Sequence, residues 1–479
     1  MKVGKKQIYI IVLELCALLC SALYLGLYGS SLTFAKYSGF GVVVLLLDLV
    51  LFCIAQKRIV TIQTLFLMLF VLFQFGLPIV YAFNPKHYNF YMTLFSEKTL
   101  ISAVKYTIFA IQTYIIIATC VISNRNHAEK KGKVGKWTRT VLTHPRDVED
   151  AALLLFIVTA IVAVPVNLWS AVRALTAGVA IGNIYRGAMA ANGLTRFLQE
   201  FFFSSALLYL CFSNKKKRKK VVVAVYLVVA LSMVLVADRS GGVTALIVCA
   251  LYYYYTGDKR KRKKNTLVLI GVGVVLAIVS SAVASIRSGE SSQSGISLLF
   301  SALEEMGFNF TSLCFVMDYI PSRTSYRLGM SYIVALILLI PKSLGLGAVY
   351  PKLQSYLGET WLWNANNLYG RDFLSFGVGF SMIAESYYNF SWCGLVVMIP
   401  LAVIITHLLK EKNFENAWSL YIRLALMLSF FTVPRRQFQS VIKAIEYSVF
   451  FMALYLLVYI GTKRKDKRNE TANDINRCI

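Results

Sequence analysis

Apolar runs of about twenty residues recur along this chain, separated by short polar breaks, and a helical run of that length crosses the ~30 Å hydrocarbon core of a bilayer. In order they are Ile8–Tyr28, Gly39–Gln56, Ile59–Ala82, Leu100–Ile122, Asp150–Val172, Phe197–Phe212, Val221–Ala237, Val243–Tyr255, Thr266–Ile286, Ser391–Leu409, Ala417–Val433 and Glu446–Gly461. The pattern predicts an all-α, polytopic integral membrane protein with about twelve transmembrane helices. Its longest interruption, residues 287–390, reads as a long loop holding short interfacial or re-entrant helices. Two stretches inside it, Ser331–Leu344 and Phe373–Tyr388, are apolar enough to be a further pair of crossings. The segment between them carries only Lys352 and Arg371 as cations beside Trp361, Trp363 and several tyrosines, which favours keeping it outside. No stretch has the pattern of a soluble domain and neither half repeats the other, so residues 1–479 read as a single membrane domain.

Charge gives the runs a direction. Hydrophobic residues make up 57% of the chain and the net charge is +27. The cations collect at alternate breaks: Lys2, Lys5 and Lys6, then Lys57 and Arg58, Arg125 to Arg146, Lys215 to Lys220, Lys259 to Lys264, and Lys463 to Arg468. Short basic loops stay on the cytoplasmic face, so both termini are expected inside and residues 287–390 outside. The same charge contacts anionic lipid; no aromatic platform interleaves it, and nucleic-acid binding is set aside. The amino-terminal run is too long, and lacks too clearly a small-residue cleavage site, to be a secretory signal, and it is expected to remain as the first span. The nine cysteines fall mostly within spans and form no disulfide framework.

Several chemistries are excluded by inspection. There is no phosphate-binding glycine loop, no complete dinucleotide fingerprint and no D-x-D pair for a nucleotide-sugar metal ion. Of four histidines only His87 is expected outside, so a zinc site is not indicated and no cofactor is. What distinguishes the outer breaks is arginine, at 173, 186, 196, 287, 323, 327, 371, 435 and 436, whereas lysine dominates the inner ones. A guanidinium keeps its charge on burial and forks onto phosphate or carboxylate, so the bias points to an anionic ligand, against the plainer role of snorkelling to lipid headgroups. Arg239 stands out in the tight turn Ala237-Asp-Arg-Ser-Gly-Gly242 between two apolar runs, where a charge is costly, although Asp238 is a ready partner. Arg435 and Arg436 are adjacent cations in the last outer turn, a repulsion that a diphosphate would relieve.

The loop ends in the segment Gly379-Phe-Ser-Met-Ile-Ala-Glu-Ser-Tyr-Tyr-Asn-Phe-Ser-Trp-Cys-Gly394. Its Gly379, Ser381, Ala384, Glu385, Tyr387, Asn389, Phe390 and Gly394 resemble a stretch found before a late span in the O-antigen and exopolysaccharide repeat-unit polymerases of bacteria, the Wzy family. Ser391 stands where that pattern has glycine. The number of spans, the large late outer loop and the arginine turn at Arg239 extend the resemblance to most of the chain.

The resemblance implies transfer of a growing glycan from its undecaprenyl-diphosphate carrier to the non-reducing end of an incoming lipid-linked repeat unit, in the bacterial plasma membrane. It implies as partners the undecaprenyl-diphosphate-linked oligosaccharides and membrane lipid, with a chain-length regulator and a flippase beside them. The residues agree with the needs of that step. The sugar–diphosphate bond is already activated, so no nucleotide is needed, and arginines can neutralise the leaving diphosphate without a metal. Glu385 lies in an apolar helix-like run, Phe376 to Tyr388, on one face with Ser381, and is the expected base or hydroxyl-orienting group; its plainer role is a structural hydrogen bond. Arg239, Arg287 and Arg371 are expected beside it in catalysis, and Arg186, Arg435, Arg436, Ser381, Tyr387 and Asn389 in substrate binding. Asp372, Asp318, Glu304 and Glu305 are rival carboxylates. Two other readings stay open, a lipid-linked oligosaccharide flippase and an O-antigen-ligase-like transferase; the missing internal repeat speaks against the first, and the lack of histidine in 287–390 against the second.

Overall fold

A computed structural model describes residues 5–27, 32–56, 61–87, 89–123, 145–176, 193–235, 239–257, 271, 296–340, 348–368, 379–409 and 417–478, and the regular elements among them are all helices. In chain order the α-helices are α1 (Lys5–Leu27), α2 (Phe34–Gln56), α3 (Ile62–Phe83), α4 (Glu97–Ser123), α5 (Pro145–Thr176), α6 (Gly193–Phe212), α7 (Lys216–Leu235) and α8 (Arg239–Thr256). There follow α9 (Ile296–Gly307), α10 (Phe310–Tyr319), α11 (Met330–Ile337), α12 (Tyr350–Gln354), α13 (Gly358–Leu368), α14 (Met382–Phe390), α15 (Met398–Leu408), α16 (Ala417–Phe430) and α17 (Phe438–Cys478).

Among the described residues eight segments are long and apolar enough to cross a membrane: Gln7–Leu27, Phe34–Gln56, Ile62–Phe83, Glu97–Ser123, Val148–Arg173, Met382–Leu408, Ala417–Arg435 and Phe438–Gly461. Leu198–Phe212 and Gly241–Thr256 are shorter apolar helices, and α7 opens on Lys216–Lys220 before its apolar run. The expected span Thr266–Ile286 lies outside the described residues. The protein is thus an all-helical, multi-pass membrane protein.

Two sequence expectations change and a third is kept. The helix-like run placed at Phe376–Tyr388 is seen as α14, Met382–Phe390, and with a 3-10 stretch, Ser391–Val397, and α15 it makes one continuous apolar segment, Met382–Leu408. The motif is therefore one end of an apolar segment first drawn from Ser391. The preference against a crossing at Ser331–Leu344 stands among the described residues, where α11 has eight residues and covers only about 12 Å. The turn drawn through Arg239–Gly242 is the first turn of α8.

The chain packs into two compact units. The first comprises Met1–Gly132, Ser292–Glu411 and Phe430–Lys443. In it α2 packs on α3 and α4, α9 on α3, and α15 on α4. Phe66 stacks on Phe70, which meets Tyr114 at a tilt, and all three are buried. Backbone meets backbone where α9 crosses α3: a Cβ on Gly307 would lie 2.0 Å from the Leu77 nitrogen, and one on Gly76 2.6 Å from the Leu303 carbonyl. The second unit comprises Lys133–Ser291, Lys412–Ser429 and Ala444–Ile479, with α5 on α6 and α7, and α7 on α8. Gly242 lets the start of α8 approach α7, since a Cβ there would meet the Ala230 carbonyl at 2.6 Å.

Candidate functional site

The site grows from α14, and sequence explains its start. Ser381 is the N-cap, its hydroxyl accepting from the Ala384 N–H at 3.1 Å in an extended backbone that ends the preceding segment. Gly379 just before it has φ +71, and a Cβ there would lie 2.9 Å from both the Arg435 carbonyl and the Asn309 side-chain oxygen, so glycine is required twice over. The helix is sunk among others: every residue from Ser381 to Asn389 is buried. Ser386 shares a 2.8 Å hydrogen bond with the Tyr106 hydroxyl of α4, and Gly394 fits against the same pair, its would-be Cβ 2.2 Å from the Ser386 carbonyl and 2.6 Å from the Tyr106 oxygen. Tyr106 stands nine residues into α4, which places this contact roughly 13 Å along the helix from Glu97.

Glu385 is fully buried and both carboxylate oxygens are engaged. Oε1 accepts from the Ser331 hydroxyl at 2.7 Å, and Oε2 from the Phe438 N–H at 2.6 Å. Phe438 opens α17, so the carboxylate sits at a helix N-terminus, where an unpaired N–H and the helix dipole both favour an anion. Burial, with the Glu385 carboxylate close by, pushes the Tyr332 hydroxyl of α11 well above the usual tyrosine range. Asn389, one turn further along α14, donates to Ser331 Oγ and to the Glu385 carbonyl, each at 2.8 Å, and accepts from the Gly329 N–H at 3.0 Å. Serine 331 thus joins the two motif side chains, and Asn389 clamps the turn before α11.

That clamp positions arginine. The Arg327 N–H donates to the Tyr388 carbonyl at 3.2 Å and the Leu328 N–H to the Asn389 carbonyl at 3.0 Å. The Arg327 guanidinium then donates through Nε to the Tyr388 hydroxyl at 2.9 Å, with its carbon 5.8 Å from the centres of the Tyr356 and Tyr388 rings. No carboxylate among the described residues pairs with it. Arg323 stacks on Tyr319 at 4.8 Å, Tyr319 meets Trp361 edge-on, and Trp361 meets Tyr388. Tyr387 lies between Tyr106 and Tyr326.

The second arginine segment is fixed to the other side of the motif. The turn Val433–Arg436 is held by Gln74, which donates to the Pro434 carbonyl, by Gln437, which accepts from the Glu359 N–H at 3.1 Å, and by Phe438 on Glu385. Arg435 lies over the Phe73 ring at 5.8 Å and Arg436 is exposed.

Of the residues singled out from sequence, Glu385, Ser381, Tyr387, Asn389, Arg435 and Arg436 therefore belong to one packed neighbourhood. Arg186, Arg287 and Arg371 lie outside the described residues. Arg239 begins α8 in the other unit, and its side chain lies outside the described set. Sequence reasoning missed Ser331, Tyr106 and the special place of Arg327, which had only its membership of the outer arginine set to mark it. Of the rival carboxylates, Glu304 pairs with His87 at 2.8 Å and with Asn89, and both acid and imidazole keep some solvent contact. Among the described residues no group of three or more His, Cys, Asp or Glu side chains is placed to hold a metal ion.

The family model for the O-antigen polysaccharide polymerase Wzy matches residues 6–469, nearly the whole chain. No curated protein and no solved structure matches.

Proposed function

The chain belongs to the O-antigen polysaccharide polymerase Wzy family, and on that premise we propose that it lengthens a glycan at the outer face of the bacterial plasma membrane, moving the growing chain from undecaprenyl diphosphate to the non-reducing end of an incoming lipid-linked repeat unit. Joining lipid-linked O-antigen repeat units within a membrane is the reaction of its family. In the proposed step a hydroxyl oxygen of the incoming unit attacks the anomeric carbon of the growing chain. The bond from that carbon to the diphosphate oxygen breaks, the diphosphate leaves on its carrier, and the hydroxyl proton passes to a base.

The observation that carries this reading is the motif helix holding two arginine-bearing segments at once, Arg327 through Tyr388 and Asn389, and Arg435–Arg436 through Glu385. Guanidinium groups fixed before substrate arrives stabilise charge as it develops on the diphosphate, with no reorganisation during the reaction and no need of a metal. Arg239, Arg287, Arg371 and Arg186 are proposed for the same anionic substrates. Ser381, Asn389 and Tyr387 shape the helix and its aromatic surroundings, against which Tyr356 and the exposed Trp363 offer faces to sugar rings. Glu385 serves as the organiser of the site: to act as base it would have to release Ser331 and the first N–H of α17. Glu304, paired with His87, and the exposed Glu305 are carboxylates that keep access to solvent.

The test is the lipid-linked intermediate profile of a strain lacking the gene, complemented by wild type or by Arg327→Ala. Single repeat units on the carrier are expected in the deletion strain and with Arg327→Ala, at normal protein level. Full-length ladders with Arg327→Ala overturn the role of Arg327; units held on the cytoplasmic leaflet of the deletion strain overturn polymerisation in favour of flipping.

A further inference from the structure

Away from the motif, the first unit holds charges that the transfer reaction does not use. One face of α4 carries Lys105, Gln112 and Thr119, each two turns from the next, about 10 Å along the axis. Each meets a polar group from α1 or α2. Lys105 donates to the Leu25 carbonyl at 2.9 Å and lies over the Tyr37 ring; Gln112 donates to Asp48 Oδ2 at 3.1 Å; Thr119 donates to Glu14 Oε1 at 2.8 Å. Asp48 is mid-way along α2, and Glu14 lies on the buried stripe Ile10, Glu14, Ser21, Leu25 of an otherwise exposed α1. Burying a carboxylate at such depth without a cation is among the costliest placements in a membrane protein.

The hydrogen-bond accounting shows what is missing. Glu14, Asp48 and Gln112 are each at most 1% exposed. Glu14 Oε2, Asp48 Oδ1 and Gln112 Oε1 have no hydrogen-bond partner among the described residues. All three are acceptors. The Asp48–Gln112 pair is the decisive one: an ionised carboxylate can take only the amide N–H, which leaves one carboxylate oxygen and the amide oxygen both without a donor, and those are the two orphans. A carboxylic acid beside a carboxamide is self-complementary, O–H to amide oxygen and N–H to acid oxygen. One proton on Asp48 Oδ1 therefore satisfies both orphans. A metal ion is not served by this set, since two free oxygens fall far short of the six or more that a hard cation gathers.

We propose that Asp48, paired with Gln112, is a proton-binding site within the membrane, and that Glu14, two turns along α4 on Thr119, is a second. The titratable or charged groups along this face are Glu14, Asp48, Lys105 and Tyr37, with Cys120 beside Thr119. Proton uptake at each site forms one O–H bond on a carboxylate and neutralises one charge; nothing is oxidised or reduced.

Infrared spectroscopy of the full-length protein in lipid tests it. The carbonyl band of a protonated, buried carboxyl is expected at neutral pH, shifting on exchange into heavy water. It should weaken in Asp48→Asn, weaken in Glu14→Gln, and vanish in the double variant. Asp48→Asn, whose amide can still pair with Gln112, is expected to keep the wild-type Tm, whereas Asp48→Ala lowers it. Absence of the band in wild type, or its survival in the double variant, overturns the proposal. So does a rise in wild-type Tm with added sodium or potassium that Asp48→Asn abolishes, which would make the ligand a metal cation.

Discussion

Ser391 stands where the motif that this segment resembles has glycine, and its backbone conformation is one that suits glycine. Its φ is +56 with ψ −141, a conformation that side-chain-bearing residues adopt only under strain, and it marks the change from α14 to the 3-10 stretch that follows. Ser391→Gly is expected to stabilise the protein by roughly 1 kcal/mol, the relief of strain outweighing the added freedom of the unfolded chain. A higher Tm of the purified protein in detergent is the check, with polymer length unchanged. Glu385 behaves in the opposite sense. Glu385→Ala strands the Phe438 N–H and the Ser331 hydroxyl in a buried setting, and is expected to cost about 3 kcal/mol. Protein level and Tm should therefore fall together with polymer. Loss of polymer at full protein level and unchanged Tm would instead make Glu385 a chemical participant. At Arg327, replacement by Lys keeps a positive charge but not the Nε bond to Tyr388 or the fork. Arg327→Lys is expected to slow transfer roughly a hundredfold at normal protein level, read from the rate at which labelled lipid-linked units are consumed.

At the scale of elements, the motif works because a helix is interrupted. Gly394 falls after the break, where the chain passes within contact of Ser386 and Tyr106, and only a residue without a Cβ lets the 3-10 stretch lie back on α14 and α4. A similar economy of side chains joins α9 to α3, where Gly307 and Gly76 bring two backbones together. Gly307→Ala is expected to push the helices apart at a cost of roughly 1–3 kcal/mol, visible as a lowered Tm and reduced membrane-inserted protein. The same junction orders the approach to the site, since α9 carries Glu304 and leads through Asn309, against Gly379, into α10. The position of the first five apolar runs was legible in the sequence to within a few residues, because hydrophobicity is a local property. The join between α14 and the apolar run after it was not legible for a related reason: local pattern sees the polar break at Ser391 but not that the helix resumes beyond it.

For the molecule as a whole, charge asymmetry and span pattern make one statement about orientation. Reporter fusions at both termini and at residue 325 are expected to place the termini in the cytoplasm and Ser325 outside; a cytoplasmic reading at Ser325 would invert the proposed side of the reaction. The class of protein, its membrane setting, its family and the motif segment all came from sequence alone, since each is carried by residues close together along the chain. Which arginine the motif holds did not. Arg327 reaches Tyr388 across 61 residues and Phe438 reaches Glu385 across 53, and the Asp48–Gln112 pair spans 64. A hydrogen bond is decided by the position and direction of single atoms, and only the packing of helices against one another sets those; composition and periodicity are blind to them.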